Sequence, residues 1–532
     1  MHGGIFDFLT PVKYQADSII HNFASDGQDV VVVISAFRLN VFGLLNLAPD
    51  IRASLEWIQR EIAAFGGDPK RVTLSGMSSG SMMAELISVS PSFNGLYSQL
   101  ACRSGTYSST TAPKETNLLT SWLTAELVGC ADVNTNRVET ESIETVVECM
   151  RKKTWKEVIR ARMALNDHPE PLFRPHTDGE GGLFPDLFPE MVSRRRAVPT
   201  LIGSTTMESL MSQYALDENR KVIMPRLEEM CMAVAYGNNY SRPETAGRLC
   251  MEHYAQDDKV KTFHGDLVFY VPIFETAKQM TEKGAPVYVY SFGYRGTPII
   301  TDNYKPLEHP AHGDDFSYLF NIARNFSEKD YAVEKIYSGI FLHFIKTGYP
   351  YPGEGQRPWN KFTTSKHDYY LIDFPDSSNL MPGNRQFYQR EPVELWIETI
   401  AKAGGAVRPL IEFPRHFDHY LVEEVTKVYE QHYTQVVARY TKALGANEEA
   451  YNAWIEYING RRFKHLNGME NIRQFVSDIN EVPDSSSESE TASYVVVEIL
   501  AVMTIALIIF LLLRCCIATA GEWREKKAYQ PL

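Results

Sequence analysis

"FGGDPKRVTLSGMSSGSMM", Phe65 to Met83, decides the fold. Ahead of it, "APDIRASLEWIQREIAAFGG" carries apolar residues at helical spacing and ends on Gly66 and Gly67, good helix terminators. Arg71-Val72-Thr73-Leu74 is a short strand-like run, Gly76-Met77-Ser78-Ser79-Gly80 is a turn of small residues, and a helical pattern follows. A serine hydroxyl is a weak nucleophile. It must protrude where a base can reach it, beside backbone N–H groups able to hold an oxyanion. A strand–turn–helix elbow of the form G-x-S-x-G does this, because its glycines let the turn pack closely and the helix N-terminus adds a favourable field. The bland alternative for Ser78 is a serine–glycine turn without chemistry. Strand before and helix after is the context that the nucleophile requires.

Outward from that stretch, the chain alternates strand-like and helix-like segments from residue 1 to about 405. "DVVVVISAF", Asp29 to Phe37, reads as a fully buried strand by its apolar run. "RVTLSG", "VPTLIGST" and "APVYVYSFGYRG" supply three more strands. Strands separated by helices imply an α/β fold with a mostly parallel central sheet and helices on both faces. Residues 406–476 become helical in pattern, as in "DHYLVEEVTKVYEQHYTQVVARYTKAL". Residues 477–493, "SDINEVPDSSSESETAS", are acidic, serine-rich and poor in apolar residues, which predicts a flexible linker. Residues 494–513, "YVVVEILAVMTIALIIFLLL", have the length and apolar uniformity of a transmembrane helix, with Glu498 near one end as the sole charge. Residues 514–532 form a basic tail with Arg514, Arg524, Lys526 and Lys527.

The bulk numbers exclude several classes. In 532 residues, 44% are hydrophobic and 12% aromatic, enough for a large buried core. The net charge of -13, with no long basic patch before the C-terminus, argues against nucleic acid as a partner. Seven cysteines permit two or three bridges but no metal-ligand spacing, and no HExxH occurs, so no metal and no cofactor are expected. "MHGGIFDFLTP" has no basic start, apolar core or cleavage site of a signal peptide.

At this point the sequence resembles the type-B carboxylesterase and cholinesterase family of α/β-hydrolases. "FGGDPKRVTLSGMSSGS" resembles the family's elbow signature FGGDPxxVTLFGESAGG, and "VVVVISAFRLNVFGLL" its strand and YRLGxFGF segment. "HTDGEGGLFPDLFPEMV" and "FLHFIKTGYP" resemble PVxDGxxLPxxP and NFAKTGxP. The likeness runs from His2 to about Gly405. It implies a serine, glutamate and histidine triad in that chain order. "LIGSTTMESL" resembles LxGxxxxEG and places the acid at Glu208; "HPAHGDDFSYLF" resembles HxxDLxYxF and places the base at His312. Taken singly, Glu208 would be a solvated loop carboxylate and His312 a structural histidine. "HGGIF" resembles the HGGGF loop, which implies oxyanion donors at Gly4, Ile5 and Ser79. Ile5 keeps its N–H where the family has glycine, but its side chain restricts φ and crowds the site.

Further departures bear on substrate and completeness. Met77 stands where the family carries glutamate, which weakens the expectation of a choline ester. Ser81 replaces a glycine, and the chain opens at the HGG motif, so the first strands of the sheet are expected to be missing. The resemblance pairs Cys130 with Cys149; Cys231 with Cys250 is a second candidate pair. Asn239 and Asn325 head N-x-S triplets and are candidate glycosylation sites, and Cys515 and Cys516 are candidate palmitoylation sites.

Two functions stay open on sequence alone. One is a membrane-anchored serine esterase that takes a small carboxylic-ester substrate. The other is a neuroligin-like adhesion or receptor protein with a cell-surface protein partner. The basic flank after the span puts the tail in the cytosol and the body outside. The lack of a signal peptide favours the opposite, tail-anchored topology; the charge bias is taken as the better guide.

Overall fold

In the computed structural model, residues 1–405 are described except for residues 5, 7–9, 12–13, 15, 25–26, 28, 44–47, 110–123, 126–127, 131–139, 165–180, 187, 209–214, 218–220, 238–239, 257–258, 297–308, 321–325, 352, 354–357 and 375–381. The chain divides into two compact units, one of Met1–Glu115 with Phe173–Glu412 and one of Thr116–Leu172 with Phe413–Leu532. The first unit contains the sheet and the candidate site. The described part of the second holds helices Thr140–Lys152 and Trp155–Ala164 and the disulfide Cys130–Cys149.

Within the first unit, α1 (Ala16–Phe23) and α2 (Ala48–Glu61) precede the sheet. α2 tightens into a last turn, Ile62–Phe65, and stops at Gly66, whose φ of 82° is the left-handed conformation glycine adopts without penalty. β1 (Thr73–Met77), β2 (Gln99–Arg103), β3 (Thr200–Thr205), β4 (Val287–Phe292) and β5 (Tyr369–Ile372) pair in sequence order, all parallel; β6 (Gly383–Arg385) closes the sheet antiparallel to β5. Five parallel strands demand crossover connections, and the helices between them supply these.

Register explains the two layers. Ala101, Leu201 and Tyr288 are aligned across β2, β3 and β4, and Phe292 aligns with Ile372. These residues form one core with Val333, Tyr337, Ile340, Phe341 and Phe344 of the helix Glu328–Thr347. Those five helical positions follow the i, i+4, i+7, i+8, i+11 pattern of a single buried stripe. The helix starts at a capping box between Ser327 and Asp330 and ends at Gly348, φ 74°. On the opposite side, α3 (Ser79–Val89) packs on β1 and β2, and the helix Val271–Glu282 packs on β3 and β4. The expected mostly parallel sheet with helices on both faces is therefore present, with one antiparallel strand, β6, at its edge.

One predicted strand is absent. Asp29 to Phe37 runs without ladder pairing to any strand among the described residues. Its apolar run is split between two environments: Val30 and Val32 pack against the core, while Val31 and Val33 are 43% and 39% exposed. Apolar composition signals burial of one face, but a strand exists only where a neighbour takes its N–H and C=O groups.

Among the described residues no helix is long and apolar enough to cross a membrane. The helical extension 406–476, the linker, the span 494–513, the tail, Cys515 and Cys516 all lie outside the described residues.

Candidate active site

The site is assembled from turns that follow the C-terminal ends of β1, β3 and β4, the edge where parallel sheets place their chemistry. Ser78 leaves β1 and caps α3 with φ 57° and ψ -130°. A non-glycine residue at positive φ is strained and must be held by its surroundings. Here the Ser78 N–H donates to the Arg103 carbonyl at 2.9 Å, and the Ser78 carbonyl accepts from the N–H groups of Ser81 and Met82 at 2.8 and 2.9 Å. The flanking glycines are sterically required. A Cβ on Gly76 would lie 2.1 Å from the Gly80 carbonyl oxygen, and one on Gly80 would lie 2.3 Å from that of His2.

Glu208 and His312 are brought side by side by a one-residue parallel bridge between Met207 and Ala311. His312 Nε2 lies 2.8 Å from Ser78 Oγ, and His312 Nδ1 lies 2.5 Å from Glu208 Oε2. Glu208 is fully buried, and its other oxygen accepts from the Ser104 hydroxyl at 2.5 Å and from the Thr205 N–H at 2.7 Å. Burial disfavours the His312 imidazolium. Glu208, by charge and hydrogen bond, and then Asp315 and Asp314 by charge, more than offset this and raise its pKa above the ordinary histidine value. Asp315 accepts from the Tyr337 hydroxyl at 2.7 Å, and Asp314 is paired with Arg295 at 3.0 Å. The Phe269 ring packs 4.7 Å from the imidazole, centroid to centroid.

The predicted oxyanion loop sits on the elbow. A Cβ on Gly3 would lie 2.8 Å from Ser78 Cβ, Gly4 follows at φ 106°, and the Phe6 N–H donates to Ser79 Oγ at 3.2 Å. Ser79 opens α3, where main-chain N–H groups have no intrahelical acceptor. Gly4 and Ser79 are thus beside the serine; Ile5 lies outside the described residues, as do Asn239 and Asn325. Met77, nearly buried at 8% exposure, packs against this loop and brings no charge. Both disulfides, Cys130–Cys149 and Cys231–Cys250, are formed. Among the described residues no group of three or more metal-ligating side chains converges.

Sequence reasoning missed Ser104, Thr205 and Asp315. Ser104 had a faint signal, a serine–glycine pair at the end of the strand-like "QLACR".

Fold and site together define a protein of the α/β-hydrolase type, with serine, histidine and glutamate converging at the strand ends. The profile of the carboxylesterase family matches residues 1–396. The chain belongs to the carboxylesterase family and is a carboxylesterase-type hydrolase. It is similar to carboxylesterase 1C of Rattus norvegicus, with 25% identity over 408 residues, 70% of this chain and 69% of that protein. It is also similar to the liver carboxylesterase of Sus scrofa, with 26% identity over 429 residues, 72% and 71% of the two chains. Acylcarnitine hydrolase of Rattus norvegicus is 27% identical over 360 residues, 62% of this chain and 61% of its own.

Proposed function

We propose that the chain is a membrane-anchored hydrolase that cleaves small carboxylic esters through an acyl-Ser78 intermediate. The observation that carries the chemistry is the continuous hydrogen-bonded line from Ser78 Oγ through both nitrogens of His312 to Glu208. His312 Nε2 takes the Ser78 proton as Oγ attacks the ester carbonyl carbon. The carbonyl oxygen, now negative, is held by main-chain N–H groups of the Gly4–Ile5 loop and Ser79. Collapse breaks the ester C–O bond, and the alcohol leaves with the proton from His312. A water then gives a proton to His312 and attacks the acyl carbon. The acid departs, and the proton returns to Ser78. Throughout, Glu208 fixes Nδ1–H as the bonded tautomer and stabilises the imidazolium. Met77 stands beside the serine where relatives usually carry a glutamate, which removes one charge that could draw a cationic alcohol and favours neutral esters.

The anchor rests on sequence: the apolar stretch Tyr494 to Leu513 and its basic flank place the body outside and the tail in the cytosol. An adhesion function without catalysis is not favoured, since it leaves a complete triad unused. A fluorophosphonate probe applied to the full chain should label Ser78, and short p-nitrophenyl esters should be turned over. A folded full-length protein that does neither would overturn the esterase.

A further inference from the structure

Two consecutive residues on one irregular turn touch two different members of the triad. The chain entering the helix Val271–Glu282 is wound as a π-turn over Asp266–Tyr270. The Glu208 N–H donates to the Tyr270 hydroxyl at 2.9 Å, and Phe269 is the ring against His312. Single π-turns insert one residue into a helix and recur at functional sites. The widened turn here aims neighbouring side chains at the acid and at the base. Its first residue is pinned: the buried Asp266 carboxylate accepts from the Tyr254 hydroxyl at 2.6 Å and from the Thr262 hydroxyl at 3.0 Å. Trp396 Nε1–H in turn donates to the Tyr254 hydroxyl at 2.9 Å. Tyr270 is almost wholly buried at 3% exposure, and burial foremost, then the Glu208 charge, keeps its phenol neutral with a pKa well above the ordinary value.

We propose that Tyr270 is a positioning residue for the reaction: from the π-turn anchored at Asp266, its hydroxyl fixes the main chain of Glu208, and thereby the carboxylate that orients His312. The Glu208 side chain is set by Ser104 and Thr205, but its backbone N–H has the Tyr270 oxygen as acceptor. Without that acceptor a buried N–H is left unpaired, and the turn carrying the acid shifts to find water or another partner. This proposal rests on the triad function proposed above.

The experiment compares wild type, Tyr270→Phe and Asp266→Asn as full-length protein, each titrated with fluorophosphonate so that rates are per active site. Tyr270→Phe should lower kcat by about tenfold to a hundredfold, the scale of a displacement near 1 Å in a catalytic group, with KM changed much less. The acid limb of its pH–rate profile should move to lower pH. The groups that raise His312 are Glu208, Asp315 and Asp314, and only the first is loosened by this change. Asp266→Asn should move kcat and the limb in the same directions by less. A merely structural tyrosine would reduce the titratable fraction and leave kcat per site and the limb unchanged, which overturns the proposal. If Tyr270→Phe yields no folded protein, Asp266→Asn decides: a displaced limb supports the proposal and an unchanged one overturns it. A wild type that takes no probe would instead defeat the esterase itself.

Discussion

The main-chain N–H of Ser78 donates to the carbonyl of Arg103, 2.9 Å away across the end of the β1–β2 ladder. The same residue's guanidinium lies 4.9 Å from the ring of Phe316, in the turn that follows His312. Arg103 therefore touches both the nucleophile's turn and the histidine's turn. The elbow is held in its strained conformation by such contacts, with α3 packed too closely for a side chain at Gly76 and the Met1–His2 backbone too closely for one at Gly80.

Gly80→Ala should accordingly be severe. Its Cβ would meet the backbone oxygen of His2 at 2.3 Å, and backbone cannot rotate aside as a side chain can. The cost should be about 3 kcal/mol or more, the upper range for overpacking. The check is a denaturant midpoint and probe labelling: both should fall, whereas Gly284→Ala, with nothing within 4 Å of its Cβ, should lose only the modest cost of its φ of 83°.

Removal of each triad member should give a graded series. Ser78→Ala and His312→Ala should each lower turnover by roughly a thousandfold or more, as triad dissections do. Glu208→Gln should cost less, because Ser104 and Thr205 still hold its side chain while the imidazole loses its charge partner. Steady-state rates on p-nitrophenyl acetate, corrected for folded protein, test the order. Equal activity in Ser78→Ala and wild type would remove Ser78 from the chemistry.

How much of this was legible follows from where each signal resides. β1, Ser78 and the turn into α3 could be read because strand, small residues and helix are contiguous in the chain. Glu208 and His312 became legible only through short motifs that resemble a family, since nothing local marks them. The segment Asp29–Phe37 was misread because its apolar run reports burial of a face and says nothing of a partner. Ser104 had only the faint signal of a serine–glycine pair after a strand, and Tyr270 had none: they reach Glu208 across 104 and 62 residues of sequence, by sheet register and by a π-turn.

The pH dependence has a definite sign. General base catalysis needs neutral His312, and the folded protein raises its pKa. Activity should therefore fall on the acid side with a midpoint above the ordinary histidine value of about 6.5. For stability the linkage runs the other way: a raised pKa stabilises the folded state below about pH 6.5, and this contribution is lost as pH rises through the folded value. In Glu208→Gln the largest raising influence disappears while burial remains, so the acid limb should move to lower pH. A pH–kcat/KM profile of wild type and variant measures both, and a limb that stays in place in the variant would separate Glu208 from His312.

The last expectation concerns the helix that carries the serine. Glu85 of α3 and Arg195 are both fully buried, with Oε1 and Nη1 2.6 Å apart. Glu85 also accepts from the Tyr107 N–H at 2.8 Å, and Arg195 donates to the Ser88 hydroxyl at 2.5 Å. Removing one partner of a buried ion pair strands the other charge without water, at about 3–5 kcal/mol, whereas replacing both with apolar residues is often neutral. Arg195→Met and Glu85→Leu should each lower the unfolding midpoint strongly. The double variant should recover much of that loss, and labelling per folded molecule should persist in all three, because the pair's hydrogen bonds run to Tyr107 and Ser88 and, among the described residues, to no member of the triad. Denaturant titration of the four proteins gives the coupling directly. Losses that simply add would mean the pair is two separate packing sites. Loss of labelling in the stable double variant would mean that its charges also shape the elbow.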